Sequence, residues 1–166
     1  MDKIKNYFEN LKGKTVSLIG FGVSHRPVAD MFLSHGVSVV VHDRKSEEQL
    51  RDIIKEYEGK SIRFVLGENY LDDVSGDVVF RTPGMRPDND IYIKAQKNGS
   101  RITSQMEEFF SLCPCRVVAV TGSDGKSTST TLISKMLEKQ GFKCYLGGNI
   151  GKPLLPEIEN ISTDDF

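Results

Sequence analysis

The chain has 166 residues, 38% of them apolar and 27% charged, with 22 Lys and Arg against 23 Asp and Glu. That balance excludes the basic excess of a nucleic-acid or anionic-membrane binder, and no apolar run approaches the roughly 20 residues that span a bilayer. The length suits one domain, or one domain and part of another.

The N-terminal stretch "MDKIKNYFENLKGK" has no apolar signal core and no cleavage pattern, so a cytoplasmic location is the default. Its Ile4, Tyr7, Phe8 and Leu11 share one face of an amphipathic helix. "KTVSLIGFG" follows as a buried strand running into a glycine turn. A helix over Pro27 to His35 ends at Gly36, and "VSVVVHD" is a second strand. This is a βαβ unit. A charged helix over Ser46 to Tyr57 comes next, then a third strand "IRFVLG" and a fourth "DVVF". "DNDIYIKAQKNG" is a helix closed by Gly99, and "SRITS" is a short fifth strand. "QMEEFFSLC" is a helix opened by a capping box of Ser104 and Glu107. Five strands alternating with helices predict an α/β fold: a Rossmann-like, doubly wound, parallel five-stranded sheet.

Pro114 marks a joint, and a domain boundary is expected there, dividing the chain into 1–114 and 115–166. "RVVAV" reads as a central parallel strand, residues 126 to 140 as a helix, and "FKCYLG" as the next strand. The remainder offers a glycine loop and one short helix at most. A unit of two strands leaves sheet edges uncovered, so the second domain reads as the truncated first βαβ part of a P-loop domain. The oligomeric state stays open, since such edges permit pairing or swapping between copies. Cys113, Cys115 and Cys144 are odd in number, and C-P-C is not a zinc spacing, so reduced thiols are expected.

Two glycine loops carry chemistry. The second in chain order is Thr121-Gly122-Ser123-Asp124-Gly125-Lys126-Ser127-Thr128. Val120 stands where the standard P-loop has its first glycine, so this is a shorter G-x-x-G-K-S loop. Gly122 and Gly125 let backbone N–H groups turn inward around an anion, and the following helix aims its positive end there. Lys126 can reach terminal phosphates, and the Ser127 hydroxyl is a hard ligand suited to Mg²⁺. Asp124 is unusual beside phosphates; it either points outward or helps to hold a hydrated metal ion.

The first in chain order is "GFGVSH", Gly20 to His25, which begins like a dinucleotide fingerprint but has His25 in place of the third glycine. Asp43 ends the second strand where an acid would bind a ribose hydroxyl. Loops beyond the carboxyl ends of three strands deliver Gly22, Val23 and Ser24; Asp43, Arg44 and Lys45; and Arg81, Thr82, Pro83 and Gly84. They can converge on one ligand. Read singly, Arg44 and Lys45 are also ordinary solvated charges and "TPG" an ordinary turn.

Taken together, "IGFGVS", "TPG", "AVTGSDGKSTSTTLI" and "GGNIG" resemble, in order, the Mur ligases, ATP-dependent amide ligases of peptidoglycan synthesis. The absence of a histidine in the phosphate loop and the form of the first domain favour the D-glutamate-adding branch. The resemblance implies a Rossmann-like domain that holds UDP-MurNAc-L-Ala and a central domain that holds ATP and Mg²⁺. ATP would phosphorylate the substrate carboxylate, and the amine of D-glutamate would attack the acyl phosphate. It also implies ATP contacts at Gly122 to Thr128, with Lys126 the catalytic lysine and Ser127 a magnesium ligand. Substrate contacts would fall at Gly22, Val23, Ser24, Thr82, Pro83 and Gly84, with Asp43, Arg44 and Lys45 near the uracil and Asn149 reaching in from the central domain. The family's metal-supporting glutamate, its later lysine and histidine and its third domain have no counterpart in 1–166, so the expected behaviour is substrate binding without ligase activity. Two other readings remain. One is a non-catalytic nucleotide-binding module completed by a partner chain. The other is an NAD-dependent oxidoreductase, against which His25 counts.

Overall fold

The computed structural model describes residues 2–148 and 150–166. Helix α1 (Asp2–Leu11) lays Phe8 and Leu11 into the core. Strand β1 (Thr15–Ile19) follows, buried from Val16 onward. Helix α2 (His25–Ser34) begins two residues before the expected Pro27. Proline is tolerated there because the first-turn N–H groups have no partner inside the helix. Strand β2 (Ser38–Asp43) leads to α3 (Glu47–Glu56), which Ser46 opens: its hydroxyl accepts from Gln49 N–H, and the Gln49 side chain accepts from Ser46 N–H. Strands β3 (Ile62–Leu66) and β4 (Val78–Phe80), helix α4 (Asp90–Lys97), strand β5 (Arg101–Thr103) and helix α5 (Gln105–Leu112) complete the first part. Ser104 Oγ accepts from Glu107 N–H at the start of α5, as the capping pattern predicts.

The five strands form one sheet in the order β3-β2-β1-β4-β5, every pair parallel. The chain winds outward from β1 to β3, then returns to the other side of β1 for β4. The point between β1 and β4 is therefore where the strand order reverses, and crevices for ligands open there in such sheets. Phe21, just past β1, is buried edge-on against Tyr57 and Phe64 at ring separations of 5.6 and 5.5 Å.

Gly76, ahead of β4, holds φ 149°. A Cβ there would meet Ser17 Oγ at 2.9 Å and Thr15 O at 3.2 Å, while Ser17 Oγ donates to Ser75 O. Only glycine lets the turn come so close to β1.

The second part differs from the expected βαβ unit. Helix α6 (Lys126–Lys139) forms, but neither Arg116–Val120 nor Phe142–Leu146 is a strand. A parallel strand exists only where a neighbour completes its ladder. Here the ladder is one rung long: Tyr145 N–H donates to Phe166 O at 2.7 Å and Phe166 N–H to Lys143 O at 3.0 Å. None of the residues of α6 is buried, and Leu132 and Met136 are more than half exposed. A final 3₁₀ turn, Leu155–Asn160, takes another course. Its Leu155 and Ile158, with Ile161, enter the same core cluster as Phe32, Phe109 and Leu112.

Candidate functional site

The strand register puts the first loop's partners in place. Leu18 pairs with Phe80 and Ile19 with His42, so Gly20 emerges between Asp43 and Thr82. Asp43 then fastens two loops at once: one carboxylate oxygen accepts from Phe21 N–H at 2.6 Å and the other from Lys45 N–H at 2.8 Å. Gly20 N–H donates to His42 O at 2.7 Å. The Asp43 carboxylate is thus first a brace for the loop; the lone pairs left over are what a ligand hydroxyl would meet.

The loop's carbonyls are also engaged. His25 Nδ1 donates to Gly20 O at 2.8 Å, and the N–H groups of His25 and Arg26 donate to Gly22 O at 3.1 and 3.2 Å. Gln105 Nε2 donates to Ser24 O at 3.0 Å. What remains among the described residues is a run of three exposed backbone donors, the N–H groups of Gly22, Val23 and Ser24. Unpaired N–H groups in a row at a helix start have the polarity that suits an anion. His25 itself is buried, and its Nε2 has no partner. Burial pulls its pKa below the ordinary histidine value, only partly offset by the Gly20 and Ile19 carbonyls. It stays neutral, with its proton on Nδ1. A side chain of this size fills the place where the dinucleotide fingerprint has its third glycine.

On the far side of the crevice, Thr82 is half-buried, and its N–H donates to Tyr92 Oη at 3.3 Å. Pro83 and Gly84 are exposed, as are Arg44 and Lys45. Arg81 is paired with Glu107 at 2.9 Å. Gln105 and Tyr92 escaped the sequence reading. Gln105 lies 81 positions from Ser24, and no local pattern signals such a contact.

The second loop has Gly122 at φ 149° and Gly125 at φ 72°, a left-handed residue that caps α6. Lys126 Nζ donates to Gly122 O at 2.5 Å and Ser123 O at 3.0 Å, which folds the ammonium over the loop. Ser123, Asp124, Ser127 and Thr128 are exposed, and the Asp124 carboxylate has no hydrogen-bond partner among the described residues. Asn149 lies outside the described residues. No group of three or more His, Cys, Asp or Glu among the described residues is placed to hold a metal ion. Ser127 Oγ is one of the exposed hard oxygens at the start of α6.

The helix starts fall into two sets. Helices α3, α4 and α5 are each capped by a side chain (Ser46, Asn89, Ser104) and carry an acid in the first turn. Helices α2 and α6, which follow the two glycine loops, have neither a side-chain cap nor an acidic first turn. Their free N–H groups and positive dipole ends are left for an external anion.

A parallel sheet with an uncapped glycine loop at its reversal point defines a Rossmann-like α/β protein. No family model matches the chain. Curated proteins do. It is 47% identical, over 99% of its length, to a UDP-N-acetylmuramoylalanine–D-glutamate ligase of Ruminiclostridium cellulolyticum. Ligases of the same name from Acetivibrio thermocellus and Clostridium tetani are 45% and 47% identical over 98% and 99% of the chain. The chain spans 35–36% of the length of these relatives. From end to end it matches the N-terminal portion of D-glutamate ligases of the Mur type.

Proposed function

We propose that the chain is the substrate-holding and phosphate-holding portion of an ATP-dependent D-glutamate ligase of peptidoglycan synthesis. The carrying observation is the braced loop at the β1–β4 reversal point, with three consecutive exposed residues whose N–H groups have no partner among the described residues. These donors suit the diphosphate of UDP-MurNAc-L-Ala, with Asp43, Arg44 and Lys45 on the uracil side and Thr82, Pro83 and Gly84 opposite. The G-x-x-G-K-S loop suits the phosphates of ATP: Gly122 to Gly125 wrap them, Lys126 neutralises their charge, and Ser127 contributes an oxygen to Mg²⁺. When bound, ATP supplies the phosphoryl group that activates the substrate carboxylate. Asn149 belongs to the substrate set by resemblance. The two units, 1–114 and 115–166, divide the binding between them, in the cytoplasm where nucleotide-linked precursors are made.

The 166 residues alone bind the UDP substrate and release no phosphate in the presence of ATP, Mg²⁺ and D-glutamate. Calorimetric titration with UDP-MurNAc-L-Ala, UDP, ATP·Mg²⁺ and NAD tests the assignment. UDP and its muramoyl derivative should compete for one site, ATP·Mg²⁺ should leave that site unaffected, and NAD should not bind. Preferential binding of NAD would overturn the reading in favour of an oxidoreductase.

A further inference from the structure

We propose that Cys113 and Cys115 form a redox-modifiable dithiol, which closes to an intrachain disulfide at the joint between α5 and the phosphate loop. Their Sγ atoms lie 3.3 Å apart, and both are free, partly exposed thiols. Small rotations about the two Cα–Cβ bonds separate this from the bonded distance of about 2.05 Å. The joint is stiff. Cys113 ends α5, its N–H donating to Phe109 O at 2.8 Å, and it is held extended at φ −56°, ψ 122°. Pro114 imposes that conformation on the residue before it and fixes its own φ near about −65°. The sulfur proximity is therefore a product of the backbone, and the pair loses little freedom on closing. Cys144 is placed differently, with its sulfur against the carbonyls of Ser134 and Phe142.

The co-reactant is a low-molecular-weight disulfide. Burial, reinforced by the adjacent Cys113 sulfur, pushes the Cys115 thiol up to about 12. Either sulfur of the pair can open the exchange, and the final product is the same when it is Cys113. Its thiolate, having lost a proton to solvent, bonds to one sulfur of oxidised glutathione and expels a glutathione thiolate, which takes up a proton. Cys115 then attacks the Cys113 sulfur and expels the second glutathione in the same way. The protein loses two electrons and two protons, and the glutathione disulfide gains them.

Closure would tie the end of α5 to the segment entering the phosphate loop. At its other end α5 already holds the first loop through Gln105 and Arg81 through Glu107. The pair thus lies on the covalent path between the two candidate anion sites. The proposal does not depend on what those sites bind.

The test uses the 166-residue chain with excess oxidised glutathione at mildly alkaline pH, quenched with N-ethylmaleimide and read by intact mass and peptide mapping. The expected product has lost two hydrogens, carries one maleimide on Cys144, and returns to three reactive thiols with dithiothreitol. C144S should close equally well, and C115S should instead retain a single glutathione on Cys113. Alkylation of all three cysteines, a link to Cys144, a disulfide between two chains, or an unmodified C115S would overturn the proposal.

Discussion

At the scale of single residues, Asp43 and Lys126 do the most. Asp43 accepts from backbone N–H groups through both oxygens. Asp43→Asn turns one of those oxygens into a donor that faces a donor. A lost charge-assisted bond of about 1.5–3 kcal/mol should weaken UDP binding about 10- to 100-fold, measured by titration calorimetry. Lys126→Ala should weaken ATP binding by a similar factor and leave UDP binding intact; equal loss of both would contradict two separate loops. The histidines set a pH dependence. His25 and His42 are buried, and desolvation holds both pKa values below the ordinary 6.5, with Gly20 O and Tyr70 O offsetting part of the effect. In the unfolded chain they take up protons near 6.5; in the fold they resist until lower pH. Their contribution is fully present above about 6.5 and is lost as pH falls through the folded values, at up to about 1.4 kcal/mol per pH unit for each. Urea midpoints measured from pH 7.5 down to 5 should fall steadily, and less steeply in His25→Gln.

At the scale of elements, the helix caps fall into two sets, and the C-terminal segment divides between an exposed helix and a 3₁₀ turn buried in the main core. Ser46→Ala removes a reciprocal cap from α3 and should cost about 1 kcal/mol in a denaturant titration. The apolar face of α6 should behave oppositely to its sequence. Leu132→Lys and Met136→Lys change residues already more than half exposed and should move stability by less than about 0.5 kcal/mol. Leu155→Ala, in the 3₁₀ turn, empties a fully buried site in the main core and should cost about 2–5 kcal/mol. Much of this scale was legible in the chain. Ser104 stands before a run of helical period and caps it, and the alternation of strands and helices predicted the parallel sheet; Ser46 and Asn89, expected inside their helices, cap them instead. Arg116–Val120 and Phe142–Leu146 were misread as strands for a physical reason: their apolar runs state a preference, but a strand is completed by hydrogen bonds from a neighbour.

At the scale of the whole molecule, the two glycine loops, the switch point and the similarity to D-glutamate ligases point the same way. No described helix is long and apolar enough to cross a membrane. The amino-acid sequence alone determined the strand–helix alternation, the two glycine loops and the lysine and hydroxyl of the second, because periodicity, turn chemistry and capping are local. Only the tertiary structure decided that Asp43 and Gln105 brace the first loop, that His25 is a buried neutral donor, that Leu155 and Ile158 belong to the main core, and that two cysteines meet at the joint. Each of these depends on which segments the sheet brings together, and that arrangement is settled by the burial of many side chains at once.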